Sequence, residues 1–344
     1  MDLFLSTTVY GIKLGLCYAI LAYGMYIAYS ILDFPDLSSD GTFPLGGVVG
    51  TVFIYTLHVH PIIALIAGFM AGMIMGSITG ILHVKFGISK LLAGIIVMTA
   101  LLSITLALTT LLTDTGYSIT NFSYIAHNFN GIFNNGTTRL EDYKVILILL
   151  AIVIIIKILL DLFFKSKFGM MLIATGNNES LITSLGKDPG SYKILGLGIA
   201  NGLVGFAGAL YAQMTMNYDN TCGTGKVVTA LASVIIGLAI FSKAKYVKST
   251  TAVIVGALIY ALALNYFTLI DQNGTYLKLM NAVAFALILI INNFLKKHRV
   301  KKNKDISSNN NSIDNKVMDI LNIPSSSPTG GAKNDWTKKH FKEI

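Results

Sequence analysis

Three aspartates fall within fifteen residues of an otherwise apolar N-terminal region, in "DFPDLSSDGTFPLGG", Asp33 to Gly47. Two prolines and three glycines accompany them. Pro35 and Pro44 are expected to stop helices, and Asp40-Gly41 is a turn signal. The carboxylates of Asp36 and Asp40, with the hydroxyls of Ser38 and Thr42, could line a polar gap. A half-helix starting near Pro44 would aim its positive N-terminal end at that gap. Broken helices of this kind meet the charged groups of a transported solute. The same residues could equally form a surface loop whose aspartates cap helices.

A second stretch with chemistry-bearing residues is "ATGNNESLITSLGKDP", Ala174 to Pro189. Glu179 is one of only three glutamates in the chain. Asn177 or Asn178 is expected to cap a short helix with Glu179 in its first turn. Gly186 is expected to end it, and "DPG" (Asp188–Gly190) to turn the chain. A short helix on a connector can dock into a groove on a partner; it can also be an ordinary hairpin.

The chemistry that is missing is as informative. "GTGKVV" (Gly223–Val228) has Gly-Lys but Val227 where a P-loop needs Ser or Thr, and Asn220 where it needs glycine. The chain is not expected to bind ATP. HExxH, GxSxG and Cys/His clusters are absent, so no catalytic group, metal site or cofactor is expected. Cys17 and Cys222 form no CxxC pattern.

The elements that must carry these residues are membrane spans. Of 344 residues, 53% are hydrophobic and 12% charged, about half the usual charged share. Apolar runs occur at Leu5–Leu32, Leu45–Leu57, Pro61–Val84, Leu91–Leu112, Tyr143–Phe164, Tyr192–Thr215, Val227–Phe241, Thr250–Ile270 and Tyr276–Leu295. Most approach the ~20 residues that cross a bilayer core. The expected fold is an all-α polytopic membrane protein, with about 8 spanning helices plus one re-entrant or broken helix near residues 33–57. Met1-Asp2 offers no basic leader, so no cleaved signal peptide is expected.

Basic connectors (His83–Lys90, Lys165–Lys167, Lys187 with Lys193, Lys243–Lys248 and Lys296–Lys304) alternate with lysine-poor ones (Thr113–Asp142, Met216–Gly225 and Asp271–Thr275). By the positive-inside rule the first set is cytoplasmic and the second external. The side of the N-terminus stays open: inside if 33–57 dips and returns, outside if it crosses. Eleven basic and five acidic residues lie in 296–344, so +6 of the net +9 is in the tail. The expected division is a transmembrane domain, 1–295, and a cytoplasmic, mostly disordered tail, 296–344. That charge suits anionic lipid, not nucleic acid.

Gly68, Gly72, Gly76 and Gly80 make a smooth stripe on one helix face, for close helix packing. Gly198, Gly202, Gly205 and Gly208 do the same in another helix. Asn201, Gln213, Asn265 and Asn281 are expected at membrane depth, bonding between helices or lining a pathway. Lys157 and Asp161 are expected to pair.

Several of these stretches together resemble permease subunits of ABC importers in the branched-chain amino acid/ribose superfamily. The likeness runs through Ala174, Thr175, Gly176, Glu179 and Gly186, then Asn201, Gly208 and Gln213 in "ANGLVGFAGALYAQ". It extends to "DLSSDGTFPLGG", "ISKLLAGIIVMTAL" and "GTGKVVTALASVIIGLAIF", and covers roughly 5–295. Within the superfamily the closest likeness is to a subgroup associated with tryptophan or tyrosine uptake. Leu238-Ala239 depart from the acidic residue common in relatives.

The resemblance implies a multi-pass subunit of a bacterial cytoplasmic membrane that does no chemistry itself. ATPase subunits would dock on a coupling loop of Thr175, Gly176, Asn177, Glu179, Gly186 and Lys187. An extracytoplasmic substrate-binding protein would deliver a small solute, with an aromatic amino acid favoured. A second permease copy or paralogue would complete the pore. Asp36, Ser38, Asp40, Thr42, Asn201 and Gln213 would line the pathway, where an aspartate could meet the ammonium of an amino acid. The rival is a stand-alone ion-coupled transporter, which needs carboxylates inside the spans; few are present. A membrane-embedded enzyme would need paired catalytic groups, and none stands out.

Overall fold

The computed structural model describes residues 2–110, 119–121, 139–215, 217–243, 247–267, 269 and 279–290. The expected disordered tail, 296–344, lies outside them, as do most of the connectors at 113–142 and 271–275. Helix α1 (Asp2–Met25) continues as a π-helical stretch, Tyr26–Ile31. Then come α2 (Ser39–Tyr55), α3 (Pro61–Val84) and α4 (Lys90–Thr110). After these follow α5 (Arg139–Lys165), α6 (Lys167–Asn177), α7 (Glu179–Ser184) and α8 (Pro189–Thr215). The last three are α9 (Lys226–Ile240), α10 (Ser249–Phe267) and the short apolar α11 (Leu279–Ile290). Strands β1 (Ile119–Asn121) and β2 (Asn217–Asp219) pair antiparallel, Thr120 opposite Tyr218.

Among the described residues, seven helices are long and apolar enough to cross a membrane. α2, at 17 residues, and α11 fall short of that. α2 and α5 differ in burial. α2 runs through the interior, with Phe43 and Val48 fully buried, whereas α5 exposes Leu147, Ile155, Leu159 and Leu162. A helix apolar all round and exposed on one face suits lipid.

α3 and α8 are pressed together along their small residues. A Cβ at Gly68 would sit 2.8 Å from Ala209 Cβ, and one at Gly80 2.7 Å from Ile194 Cα. At Gly72 and Gly76 it would overlap the carbonyl oxygens of Asn201 and Leu197. Gly198, Gly202 and Gly205 of α8 receive Ser77, Phe69 and the Gly68 carbonyl in return. Gly208 instead meets the carbonyl of Phe43, which joins α2 to the same helix. Backbones this close gain dispersion contacts that larger side chains would forbid.

The two ends of the bundle can be read from contacts. At the lysine-rich end, Lys90 Nζ donates to the Asp33 carbonyl (2.7 Å), Phe34 packs edge-on to His83, and Gly176 abuts the Ile31 carbonyl. At the other end, Thr8 and Tyr266 share a hydroxyl hydrogen bond (2.8 Å), Lys13 pairs with Asp142, and Gln213 donates to the Pro61 carbonyl (3.2 Å). α1 therefore starts at the lysine-poor end and finishes at the lysine-rich one. The chain 33–57 climbs back to the lysine-poor end, because Gly50 meets Ala209 and Ala64. It runs from one end of the bundle to the other rather than dipping and returning.

Pro44 does not begin a helix. α2 starts five residues earlier and contains it. Proline removes only one backbone bond near a helix start. The Asp40 carbonyl that would have accepted it is met instead by the close approach of Gly223, whose Cβ would overlap that oxygen.

Candidate functional site

Asp36, with no exposed surface, sits in the extended break between α1 and α2. Its Oδ1 accepts from the Ser38 amide (2.8 Å) and its Oδ2 from Asn201 Nδ2 (2.6 Å). Asn201, in the middle of α8, takes the hydroxyls of Ser38 (3.4 Å) and Ser39 (3.3 Å) on its other side. Thr42 Oγ1 donates to the Ser38 carbonyl (3.0 Å). These residues knot an irregular backbone at membrane depth, where each unpaired group would cost several kcal/mol. Fully satisfied polar networks fix a unique geometry. The structure thus brings together Asp36, Ser38, Thr42 and Asn201 from the six expected pathway residues.

Asp40 stands apart from that knot. Its Oδ1 accepts from the Val227 amide (2.7 Å) and its Oδ2 from the Gly225 amide (3.2 Å), so it caps α9 from a different segment. A carboxylate at a helix N-terminus is favoured by the orphan amides and the dipole. Both oxygens offered to a solute's ammonium are engaged by backbone. Gln213 lies at the lysine-poor end, and its buried Oε1 has no hydrogen-bond partner among the described residues.

The junction at Asp40 depends on a second break. Residues 217–225 expose Thr221 and Thr224 but pack their other side into the bundle. Tyr218 is buried against Gly47, Gly223 against Asp40 and Pro44, and Gly225 takes a left-handed φ of 80°. The chain folds back along α2 before α9 begins. The stretch 217–225, which holds β2 and a 3-10 turn (Asn220–Gly223), therefore packs on α2 inside the bundle, and irregular backbone there is tolerated where it is buried in protein or lines a cavity.

At the lysine-rich end, Asn178 caps α7 by accepting from the amides of Ser180 (3.1 Å) and Leu181 (3.4 Å). Gly186 ends it at φ 70°, the left-handed conformation glycine allows. Glu179 accepts from Lys193 Nζ (2.5 Å), which anchors α7 to α8. Asp188 accepts from the Ser191 hydroxyl (2.7 Å) and the Gly190 amide (2.9 Å), and the hydroxyl foremost holds its carboxyl below the usual range. Leu181 and Leu185 are exposed while Ile182 is buried. Asn177 and Lys187 are exposed at either end of α7. Thr175 and Gly176 are not part of this ledge: Thr175 is buried and Gly176 lies against Ile31. Sequence reasoning missed Lys193 as the partner of Glu179, since fourteen residues and a helix reversal separate them.

Asp161 accepts from Lys248 (2.8 Å) and Thr250 (2.7 Å) besides its expected neighbour Lys157 (3.7 Å). Asn265 donates to the Thr7 carbonyl, and Asn281 accepts from Tyr260. Among the described residues no group of His, Cys, Asp or Glu could hold a metal ion.

The family model described as "Branched-chain amino acid transport system / permease component" matches residues 7–292. The chain is 40% identical over 290 residues to a "Tyrosine transport system permease protein" of Clostridioides difficile, covering 83% of this chain and 92% of that one. It is 32% identical to "Uncharacterized protein RP368" of Rickettsia prowazekii, covering 78% and 91%. It is 24% identical to the "Ribose import permease protein RbsC" of Escherichia coli K12, covering 80% and 82%. No solved structure matches it.

Proposed function

The chain belongs to the family of branched-chain amino acid transport system permease components, and from that premise we propose that it carries an aromatic amino acid such as tyrosine. It is a multi-pass membrane protein and the permease component of an ABC importer; ATP hydrolysis belongs to a partner ATPase. The family implies an ATPase and a binding protein as partners. The observation that carries the cargo reading is the 40% identity to the tyrosine permease along nearly its whole length.

The ATPase docks on α7, where Leu181 and Leu185 project beside the Glu179–Lys193 anchor. A second permease copy or paralogue completes the pore. ATP binding in the partners moves α7, and with it α8, whose Asn201 holds the break before α2. That links the docking ledge to the knot of Asp36, Ser38 and Thr42 in one helix. The membrane domain is 1–295, and the basic tail, 296–344, lies on the cytoplasmic side near anionic lipid.

Mild-detergent isolation of the tagged chain is expected to bring down an ATPase, with activity stimulated by the binding protein loaded with tyrosine. A chain isolated repeatedly without an ATPase would move the reading to the ion-coupled transporter. The lysine-rich end is cytoplasmic by the positive-inside rule, so the N-terminus is external. A cysteine introduced at Leu5, with Cys17 and Cys222 replaced by alanine, is expected to react with an impermeant maleimide in whole cells. Reaction only after lysis would reverse the orientation.

A further inference from the structure

Lys226 opens α9 where the stretch 217–225 packs on α2, and no role has been given to it so far. Its ammonium donates to the Tyr18 hydroxyl (2.5 Å). It lies 4.4 Å from the ring centre of Tyr18, 5.2 Å from Tyr211 and 5.4 Å from Phe43. Tyr18 and Tyr211 are nearly parallel, 17° apart with centroids at 6.5 Å, and Phe43 packs on Tyr211 at 5.5 Å. Three helices, α1, α2 and α8, each supply one wall.

The ammonium has no carboxylate of its own. Among the described residues every ion pair uses a different lysine. Asp40, the acidic neighbour on α2, spends both oxygens on the amides of Gly225 and Val227. Lys226 is half-buried, neither sealed in the core nor reaching bulk water as a snorkelling lysine would. A cation at membrane depth is costly, and rings compensate it only in part. Among the described residues no carboxylate lies within ion-pair distance of it, and Asp40 reaches it only at longer range.

We propose that Lys226, walled by Tyr18, Phe43 and Tyr211, is the subsite that receives the carboxylate of an aromatic amino acid in transit. One N–H of the ammonium stays on Tyr18, and the others turn to the carboxylate as charge-assisted hydrogen bonds. The solute's ring stacks on the same aromatic wall, where offset or edge-on pairing is favoured. Selectivity follows: an aliphatic acid gains the charge contact without the stacking, and an aromatic amine gains the stacking while meeting a like charge. The Asp40 cap fixes the first turn of α9 and so holds Lys226 at the wall. This inference rests on the aromatic-cargo reading above.

The test uses the complete importer, permease with ATPase and binding protein, in proteoliposomes. Wild-type vesicles that import no radiolabelled tyrosine would end the cargo reading, and the subsite with it. Where wild type imports tyrosine, Lys226→Met is expected to lower import at least about tenfold, the scale of a lost charged hydrogen bond. Complex yield stays unchanged, and Lys226→Arg restores at least a third of the rate. Wild-type import by Lys226→Met would overturn the subsite and leave the cargo reading standing. Equal loss in both variants would also overturn it, by making the residue a packing element.

Should Lys226→Met fail to assemble, the wild-type complex decides by reductive methylation of lysines read by mass spectrometry. Tyrosine and 3-(4-hydroxyphenyl)propionate, which carry the carboxylate, are expected to shield Lys226, and tyramine is not. A Lys226 equally reactive with all three, or reactive with none, would overturn the proposal.

Discussion

Gly72→Leu is expected to remove most folded protein from the membrane. A Cβ alone at that position overlaps the Asn201 carbonyl, and Gly202 Cα would lie 3.2 Å away. A leucine must therefore push α3 off α8, since no rotamer escapes a clash that begins at Cβ. Overpacking costs about 1–3 kcal/mol where side chains can shift; here the obstacle is backbone, so about 3 kcal/mol or more is expected. That is a large part of a typical stability of ~5–15 kcal/mol. The same displacement drags Asn201 away from Asp36, so residual protein should also lose uptake. Size-exclusion profiles of a fluorescent fusion measure the effect, with Ile74→Ala on the exposed face of α3 as control. Equal monodisperse yield for Gly72→Leu and wild type would refute the seam.

Glu179→Lys has the second large expected effect, and it falls on coupling. The substitution puts an ammonium against Lys193, whose side chain is only 10% exposed. Removing one partner of a buried pair strands the other charge; reversing it adds repulsion. Because Glu179 is itself half exposed, solvent screens part of the effect, and about 1–2 kcal/mol is expected at the anchor. α7 has six residues, so it has no fold of its own to resist being freed. Uptake and binding-protein-stimulated ATPase activity should fall below a tenth while the permease stays in the membrane.

The pair Glu179→Gln with Lys193→Met separates anchoring from direct contact with the ATPase. If anchoring dominates, the double variant recovers stimulation relative to Lys193→Met alone. Unimpaired stimulation in Glu179→Lys would remove α7 from the coupling path.

Much of the local structure was legible because its causes are local. Asn178 and Gly186 bound a short helix through hydrogen bonds and a backbone angle that span a few residues. Glycines four apart mark a helix face, and that face is the one α8 meets. Pro44 misled for an equally physical reason. A proline signals a break by the amide it lacks, but α2 begins at Ser39, before it, and Gly223 closes on the carbonyl left free. Thr175 and Gly176 likewise carry the motif of an exposed loop, yet Thr175 is buried and Gly176 lies against the Ile31 carbonyl.

By itself the sequence determined the class: apolar run length and scarce charge make a polytopic membrane protein, and its motifs, taken together, resemble those of importer permeases. Hydropathy does this because lipid demands it of every span separately. Only the tertiary structure decided which polar residues belong together. Asp36 meets Asn201 across 165 positions, Asp40 caps a helix 187 positions away, and Lys226 meets Tyr18 across 208. Such partners are chosen by helix packing, whose close approaches depend on both surfaces at once, and no single stretch of sequence contains both.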